Sequence, residues 1–122
     1  QPGRTLQVTT GDADSIGAES LTLDSSDQGV DLAALLNYLA EKEACNSVLV
    51  EAGAKVAGSF VEQGLFDELV VYMAPTILGS TARPLLDIDK QLMSQQQRLT
   101  LVDKRFIGDD LRLTYQAANT AV

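Results

Sequence analysis

The clearest pattern of apolar and polar residues in the chain lies between residues 47 and 79. It opens with an apolar, β-branched run at 48–50 that shows no polar alternation and ends at an acid, Glu51. Such a run is typical of a parallel strand that is buried on both faces. We therefore predict a buried, parallel strand at 47–51 with Glu51 at its carboxyl end.

The residues that follow predict a turn, a helix and a second strand. Ala52 and Gly53 are small enough for a tight turn, and a helical pattern runs from residue 54 to about residue 63. Its inward face is predicted to comprise Val56, Phe60 and Val61, while Ala57 and Gly58 allow close packing. Gly64 then ends the helix as a left-handed C′ residue. A second buried strand at 69–74 completes a right-handed βαβ unit.

Two short strands and one helix are predicted before this unit. Residues 5–10 and 20–24 have strand composition, and they are separated by a loop at 11–17 that is rich in Gly, Asp and Ser. After a turn at 25–29, Asp31 is a good N-cap for a helix that ends near residue 43. Four leucines, at 32, 35, 36 and 39, give this helix one apolar stripe.

The C-terminal part of the chain predicts a hairpin. Residues 75–89 contain two prolines and are expected to be irregular, with a helical turn around 84–86. A polar connection at 90–97 leads to strands at 98–107 and 111–116, which the Gly-Asp-Asp sequence at 108–110 joins. On the second strand Leu111, Leu113 and Tyr115 share one face, and residues 117–122 are expected to form a frayed tail.

Composition narrows the function classes. The chain has 122 residues, a net charge of −8, one cysteine and no histidine. A chain of this length is expected to form one domain. Its net negative charge disfavours nucleic acid as a partner. The single Cys45 allows no internal disulfide, which fits the cytoplasm, and the lack of histidine argues against a metal centre. No apolar run is long enough to span a membrane.

The turn at Gly53 is the candidate ligand site. A strand that ends in a glycine turn and begins a helix presents free backbone N–H groups, and the helix dipole adds partial positive charge, so phosphates bind there. Lys55 lies in the first turn and can pair with an anion, whereas Ser59 lies deeper in the helix. The alternative is a turn that binds nothing, since neither the dinucleotide fingerprint nor the P-loop motif is present.

Glu51 is the candidate acidic residue. It ends a predicted central strand, at the edge where open α/β sheets bind ligands, and its carboxylate can accept hydrogen bonds from ligand hydroxyls. The alternative is an acid that merely caps the following helix. The pairs Asp67–Glu68 and Asp109–Asp110 read as solvent-exposed or turn residues, so the catalytic residues stay unknown.

Three short sequence motifs, taken together, resemble those of one family. They are Glu51-Ala52-Gly53, the stretch GLFDE at 64–68, and APTILG at 74–79. In this combination they are similar to the C-terminal part of the reductase domain of the bifunctional riboflavin-biosynthesis deaminase–reductase. The resemblance covers roughly residues 31–116. It implies an α/β fold like that of dihydrofolate reductase: a mixed, mainly parallel sheet flanked by helices, truncated at its N-terminus, with a C-terminal antiparallel hairpin.

The resemblance also implies a function. The parent enzyme would be an oxidoreductase that uses NADPH to reduce 5-amino-6-(5-phosphoribosylamino)uracil, a small-molecule substrate, by hydride transfer to the ribosyl C1, with no metal. Glu51 falls where the family has a substrate-contacting acid. The stretch that would hold the NADPH phosphates consists of Gly53, Ala54, Lys55, Val56, Ala57, Gly58 and Ser59.

The resemblance makes residues 1–122 a partial reductase domain without the deaminase domain. We expect the isolated chain to lack turnover, because the first strands of the family's domain supply much of the substrate pocket. The family is generally homodimeric, so a non-catalytic, dimerising module is one alternative. Another reductase of the dihydrofolate-reductase-like group, acting on a different pterin or pyrimidine, is a second.

Overall fold

A computed structural model describes residues 3–11, 17–27, 29–90 and 92–118. The chain divides into two compact units, residues 1–50 and residues 51–122. Each unit is described by itself below.

The first unit contains two small sheets. Strands β1 (Leu6–Thr9) and β2 (Glu19–Thr22) pair in parallel, which confirms the two strands predicted from composition. Strands β3 (Ser25–Ser26) and β4 (Gly29–Val30) form a minimal antiparallel pair within the predicted turn at 25–29. Most of the predicted loop at 11–17 lies outside the described residues.

Helix α1 (Leu32–Glu41) follows and begins as predicted. The Asp31 carboxylate accepts a hydrogen bond from the backbone N–H of Ala34 at 3.0 Å, so it satisfies one of the donors that a helix start leaves free. Near the end of this helix, Glu43 pairs with Arg4, which also pairs with Glu19 on β2. The hydrogen bonds to Glu19 and then Glu43 raise the pKa of the Arg4 guanidinium.

The predicted buried strand at 47–51 is wrong. Residues 47–51 belong to no strand, and Leu49 is 83% exposed, with Val48 and Val50 exposed as well. A central parallel strand needs a hydrogen-bonded neighbour on each side, and no strand pairs with this segment in the part of the chain that the structure describes. Without that strand, the predicted βαβ unit and its right-handed crossover are also absent.

The second unit opens with helix α2 (Ala54–Glu62), whose ends are as predicted. Gly53 is the N-cap, and Gly64 has a φ of 68° in the left-handed region that glycine tolerates. Two hydrogen bonds close the C-terminus: the N–H of Leu65 donates to the carbonyl of Phe60 at 2.9 Å, and that of Gly64 to Val61 at 3.1 Å. This pair is the Schellman motif, which satisfies carbonyls that a helix end leaves free.

The inward face of α2 is narrower than predicted. Phe60 and Val61 are each 7% exposed and are the buried apolar side chains of the described residues. Val56 was predicted to point inward, but it is 48% exposed. It lies in the first turn of the helix.

A three-stranded antiparallel sheet forms the rest of this unit. Its order is β5 (Glu68–Met73), β7 (Asp110–Ala117) and β6 (Leu99–Ile107), so β7 lies in the middle. The predicted hairpin is confirmed: Ile107 pairs with Asp110 across Gly108, which has a φ of 61°. A register shift in β6 interrupts the ladder between Leu101 and Asp103.

Two expectations about the sheet are corrected. The strand at 69–74 was predicted to be buried, but β5 alternates between half-buried and exposed residues because only β7 pairs with it. The sheet was also predicted to be mainly parallel, whereas the β1–β2 pair is the single parallel ladder among the described residues. The mixed α/β character of the prediction holds, with strands of both senses and two α-helices in the described part.

The connection after β5 is irregular, as predicted, but it has no helical turn at 84–86. A short 3₁₀ helix, Met93–Gln95, lies in the predicted polar connection. The important contact of this segment is with α2: the N–H of Asp87 donates to the carbonyl of Ala54 at 3.0 Å. At Gly58, a Cβ atom would lie 2.7 Å from the carbonyl oxygen of Asp87. The two backbones can therefore cross only because residue 58 has no side chain.

We predict that Gly58→Ala lowers the free energy of unfolding by about 1–3 kcal/mol, because the added methyl group must displace backbone atoms. For a net loss, the steric cost of the methyl group has to exceed the roughly 1 kcal/mol that alanine gains over glycine inside a helix. Urea denaturation measures the difference. Gly79→Ala is the matched control, since a Cβ there meets no atom within 4 Å. A Gly58→Ala protein that is more stable than the wild type would contradict the described crossing.

Candidate functional site

The N-terminus of α2 has the geometry of an open anion site. Gly53 has extended φ and ψ angles of −69° and 169°, and no side chain caps the helix. No acidic residue lies in the first turn, and a Cβ at Gly53 would meet nothing within 4 Å. The first backbone N–H groups of a helix lack intrahelical acceptors. Because nothing crowds Gly53, a ligand can approach these donors closely.

Charged side chains flank this open end on both sides. Lys55 is exposed in the first turn of the helix, and Glu51 is exposed two residues before the N-cap. The ammonium group can pair with an anion at the helix start, whereas the carboxylate can accept hydrogen bonds from hydroxyl or amine groups. A ligand with a phosphate at one end and hydroxyls at the other matches this order of groups.

The seven residues predicted to hold the cofactor fall into two groups. Gly53, Ala54, Lys55 and Val56 lie at the open end of the helix. The other three lie deeper, because Gly58 is buried against the backbone of Asp87 and the Ser59 hydroxyl donates to the carbonyl of Lys55 at 3.0 Å. The close packing predicted at Gly58 is therefore confirmed, and its partner is the backbone of Asp87.

The sequence analysis missed a second polar cluster, which lies on the three-stranded sheet. Arg105 Nε and Arg112 Nη2 both donate to the same oxygen of Asp103, Oδ2, at 2.9 Å and 3.2 Å. Partial burial of Asp103 acts to raise its pKa, but the hydrogen bonds from Arg112 and Arg105 dominate and lower it. The signal was present as basic residues at 105 and 112, on the two strands of the predicted hairpin, but only the register shows that they are cross-strand neighbours.

Neither helix is both long and apolar enough to cross a bilayer, as judged over the described ranges. Within the same ranges, no group of three or more His, Cys, Asp or Glu residues lies together as a metal site. An open hollow in the first unit is lined by Arg4, Leu6, Leu39, Glu43 and Cys45. Its single arginine is already paired with two glutamates, so the hollow offers little to an anion.

An open helix N-terminus with an exposed acid two residues before it is compatible with an anion site, but the arrangement alone defines no function. Comparison with known proteins gives the family. The model of the RibD C-terminal domain matches residues 1–113. The chain therefore belongs to the RibD C-terminal domain family.

Individual relatives agree with this assignment. The riboflavin biosynthesis protein RibD of Chlamydia pneumoniae is 33% identical over 103 residues, which is 84% of this chain and 27% of that protein. A 5-amino-6-(5-phosphoribosylamino)uracil reductase of Buchnera aphidicola is 38% identical over 85 residues, 69% of this chain and 41% of the relative. The solved structure of Acinetobacter baumannii RibD superposes with a TM-score of 0.75 at 34% identity, covering 84% of this chain and 27% of that one.

These matches confirm the resemblance that the three sequence motifs indicated. They also show that the chain spans about a quarter of the RibD proteins it matches. Membership therefore relates this chain to the reductase part of a riboflavin-biosynthesis protein.

Proposed function

We propose that this chain is part of a reductase that converts 5-amino-6-(5-phosphoribosylamino)uracil to its ribitylamino form with NADPH, in the cytoplasm. The Buchnera relative bears the name of that reductase. When bound, NADPH supplies a hydride to C1 of the ribosyl group. The chain's own contribution is to bind and orient the two small molecules.

The observation that supports this proposal most directly is the open start of α2. Gly53 has free space on its side-chain position, and no side chain or acid occupies the helix end. A nucleotide phosphate fits such a site because backbone N–H groups and the helix dipole both favour negative charge. Gly53, Ala54, Lys55 and Val56 would contact the phosphates. Ala57, Gly58 and Ser59 would act by holding the helix in place.

Glu51 is the proposed substrate-contacting residue. Its exposed carboxylate lies two residues before the helix N-cap, so a substrate beside the bound cofactor comes within its reach. Ionised carboxylates accept hydrogen bonds only, which suits them to ribosyl hydroxyls and pyrimidine N–H groups. We assign it a binding role, and we assign no residue of this chain a role in proton transfer.

We predict that Gly53→Asp weakens NADPH binding by at least about tenfold relative to Gly53→Asn, because it places a carboxylate where a phosphate should bind. Aspartate and asparagine have nearly the same size, and both cap helices well, so the pair differs in charge and not in helix stability. Calorimetric titration of both variants and the wild type measures the difference. Equal affinities of the two variants would place the cofactor elsewhere.

We also predict that the isolated chain does not turn over the aminouracil substrate. The apolar segment at 48–50 is exposed and has no strand partner in the described part, so no sheet edge forms beside Glu51 to enclose a substrate. The assay follows NADPH absorbance after addition of the phosphoribosylaminouracil, with a full-length RibD protein in parallel. Steady oxidation by this chain alone would refute the prediction.

A non-catalytic, dimerising module is the second candidate, and the strand edges and the exposed apolar residues of the sheet favour it. The edge strands β5 and β6 each pair on one side only. The apolar residues exposed on the sheet are Val70, Tyr72, Met73, Leu101, Val102, Phe106 and Ile107. Unpaired edges with apolar side chains favour association with another sheet.

We therefore predict that the chain sediments as a homodimer and that Phe106→Glu dissociates it, because the substitution replaces an exposed apolar side chain of the edge strand β6 with a charge. Ile77→Glu is the matched control: Ile77 is 99% exposed, against 80% for Phe106, but it lies in the connection and not on the sheet. Analytical ultracentrifugation gives the mass. A monomeric wild type, or equal dissociation by both variants, would rule out a dimer through the sheet.

A further inference from the structure

We propose that Arg105 and Arg112, which face each other across β6 and β7, bind the phosphate group of a small molecule or free phosphate. This site is on the sheet and is independent of the proposed nucleotide site at the start of α2. It involves residues that neither the sequence motifs nor the comparisons single out.

The register of the sheet puts three side chains in one row. Tyr72 on β5 pairs with Arg112 on β7, and Arg112 pairs with Arg105 on β6. Directly paired residues of antiparallel strands project from the same face of a sheet. The two guanidinium groups and the phenol therefore share one face. Lys104 pairs with Leu113 and so belongs to the opposite face.

Groups within the protein accept hydrogen bonds from only some of the N–H donors of these arginines and balance only part of their charge. Both donate to one oxygen of Asp103, so a single carboxylate balances two positive charges. Arg112 uses Nη2 in this contact, and its Nε is a buried donor with no hydrogen-bond partner within the described ranges. Arg105 uses Nε, and its side chain is 62% exposed. One unit of positive charge and the exposed guanidinium of Arg105 thus remain for a ligand, whereas the Arg112 Nε is buried.

A phosphate group has the complementary chemistry. It carries several acceptor oxygens and up to two negative charges, and the planar fork of a guanidinium binds such oxygens in pairs. Tyr72 is 62% exposed. The interaction of Arg112 with Asp103, and then that with the Tyr72 hydroxyl, raises the pKa of the Arg112 guanidinium, so the phenol lies beside the proposed site. The chain as a whole carries a net charge of −8 and repels anions, so a phosphate held here is held by this local group.

The effect of substituting Asp103 distinguishes this proposal from an ordinary surface ion-pair network. If the arginines serve only to pair with Asp103, no anion binds, and Asp103→Asn merely loosens the side chains. If they form a phosphate site, Asp103 competes with the ligand for the same donors. Removing its charge with Asp103→Asn must then tighten phosphate binding.

The experiment is a titration of the whole chain followed by NMR of the arginine Nε–H signals, which reports on each guanidinium separately. Inorganic phosphate and glycerol 3-phosphate are the two probes. We expect saturable shifts of the Arg105 and Arg112 signals with at least one probe, and the tighter probe tells whether free phosphate or a phosphate ester is preferred. Because the readout is local, phosphate bound at Gly53 does not produce it, and the Gly53→Asp protein should show the same shifts.

Variants complete the test. Asp103→Asn should tighten binding several-fold, and Arg112→Lys, which keeps the charge but loses the fork, should weaken it about tenfold as read at Arg105. Arg83→Lys is the matched control, since Arg83 is exposed and lies off the sheet. Thermal unfolding checks that each variant folds. Where a variant does not fold, Arg105→Lys is used in its place, and binding is followed at the Arg112 signal. Shifts that do not saturate, or weaker binding by Asp103→Asn, would overturn the proposal.

Discussion

Backbone hydrogen bonding between strands is the constraint on which the second unit depends. Strand β7 is paired on both sides, with β5 and with β6, and this double ladder gives the sheet its order. The outer strands are satisfied on one side only, and the extended apolar segment at 48–50 has no strand partner in the described part. Exposure follows the same gradient: Leu113 on β7 is half-buried, Val70 on β5 is exposed, and Leu49 is 83% exposed. Among the extended segments, apolar exposure thus increases as the number of paired neighbours falls, while the buried apolar residues Phe60 and Val61 lie on α2.

The crossing of Asp87 over α2 is the second constraint, and it connects packing to the candidate site. The N–H of Asp87 donates to the carbonyl of Ala54, which is the first residue of the helix. The same passage buries Gly58 one turn further along. The connection after β5 therefore holds the first two turns of the helix through the hydrogen bond at Ala54 and the backbone contact at Gly58. An anion site on a helix needs this kind of support, because its donors are useful only when the helix axis is held still.

Features that a few neighbouring residues determine could be predicted from the sequence. The Asp31 cap, the glycine that ends α2 and the hairpin at 108–110 each depend on local backbone preferences, and all three are found. Predictions that required a distant partner failed or were incomplete. Residues 48–50 read as a buried strand, but burial depends on neighbours that the local pattern cannot supply, and Val56 is exposed for the same reason. In the candidate site, the turn at Gly53 and the close packing at Gly58 were visible from composition, whereas the partner of Gly58 and the Arg105–Arg112 pair required the crossing and the register.

The acidity of the chain makes short-range geometry more important than net charge for binding anions. With a net charge of −8, the long-range field opposes any phosphate that approaches, but this field is screened within about 10 Å at moderate ionic strength. At contact, directed N–H groups and a nearby cation dominate, since hydrogen bonds to charged groups are the strong ones. The helix start has free N–H donors and Lys55, and the sheet has two guanidinium groups that share one carboxylate. Selectivity follows from this balance: diffuse polyanions are repelled by the surface, while a compact phosphate that reaches either group of donors can be retained.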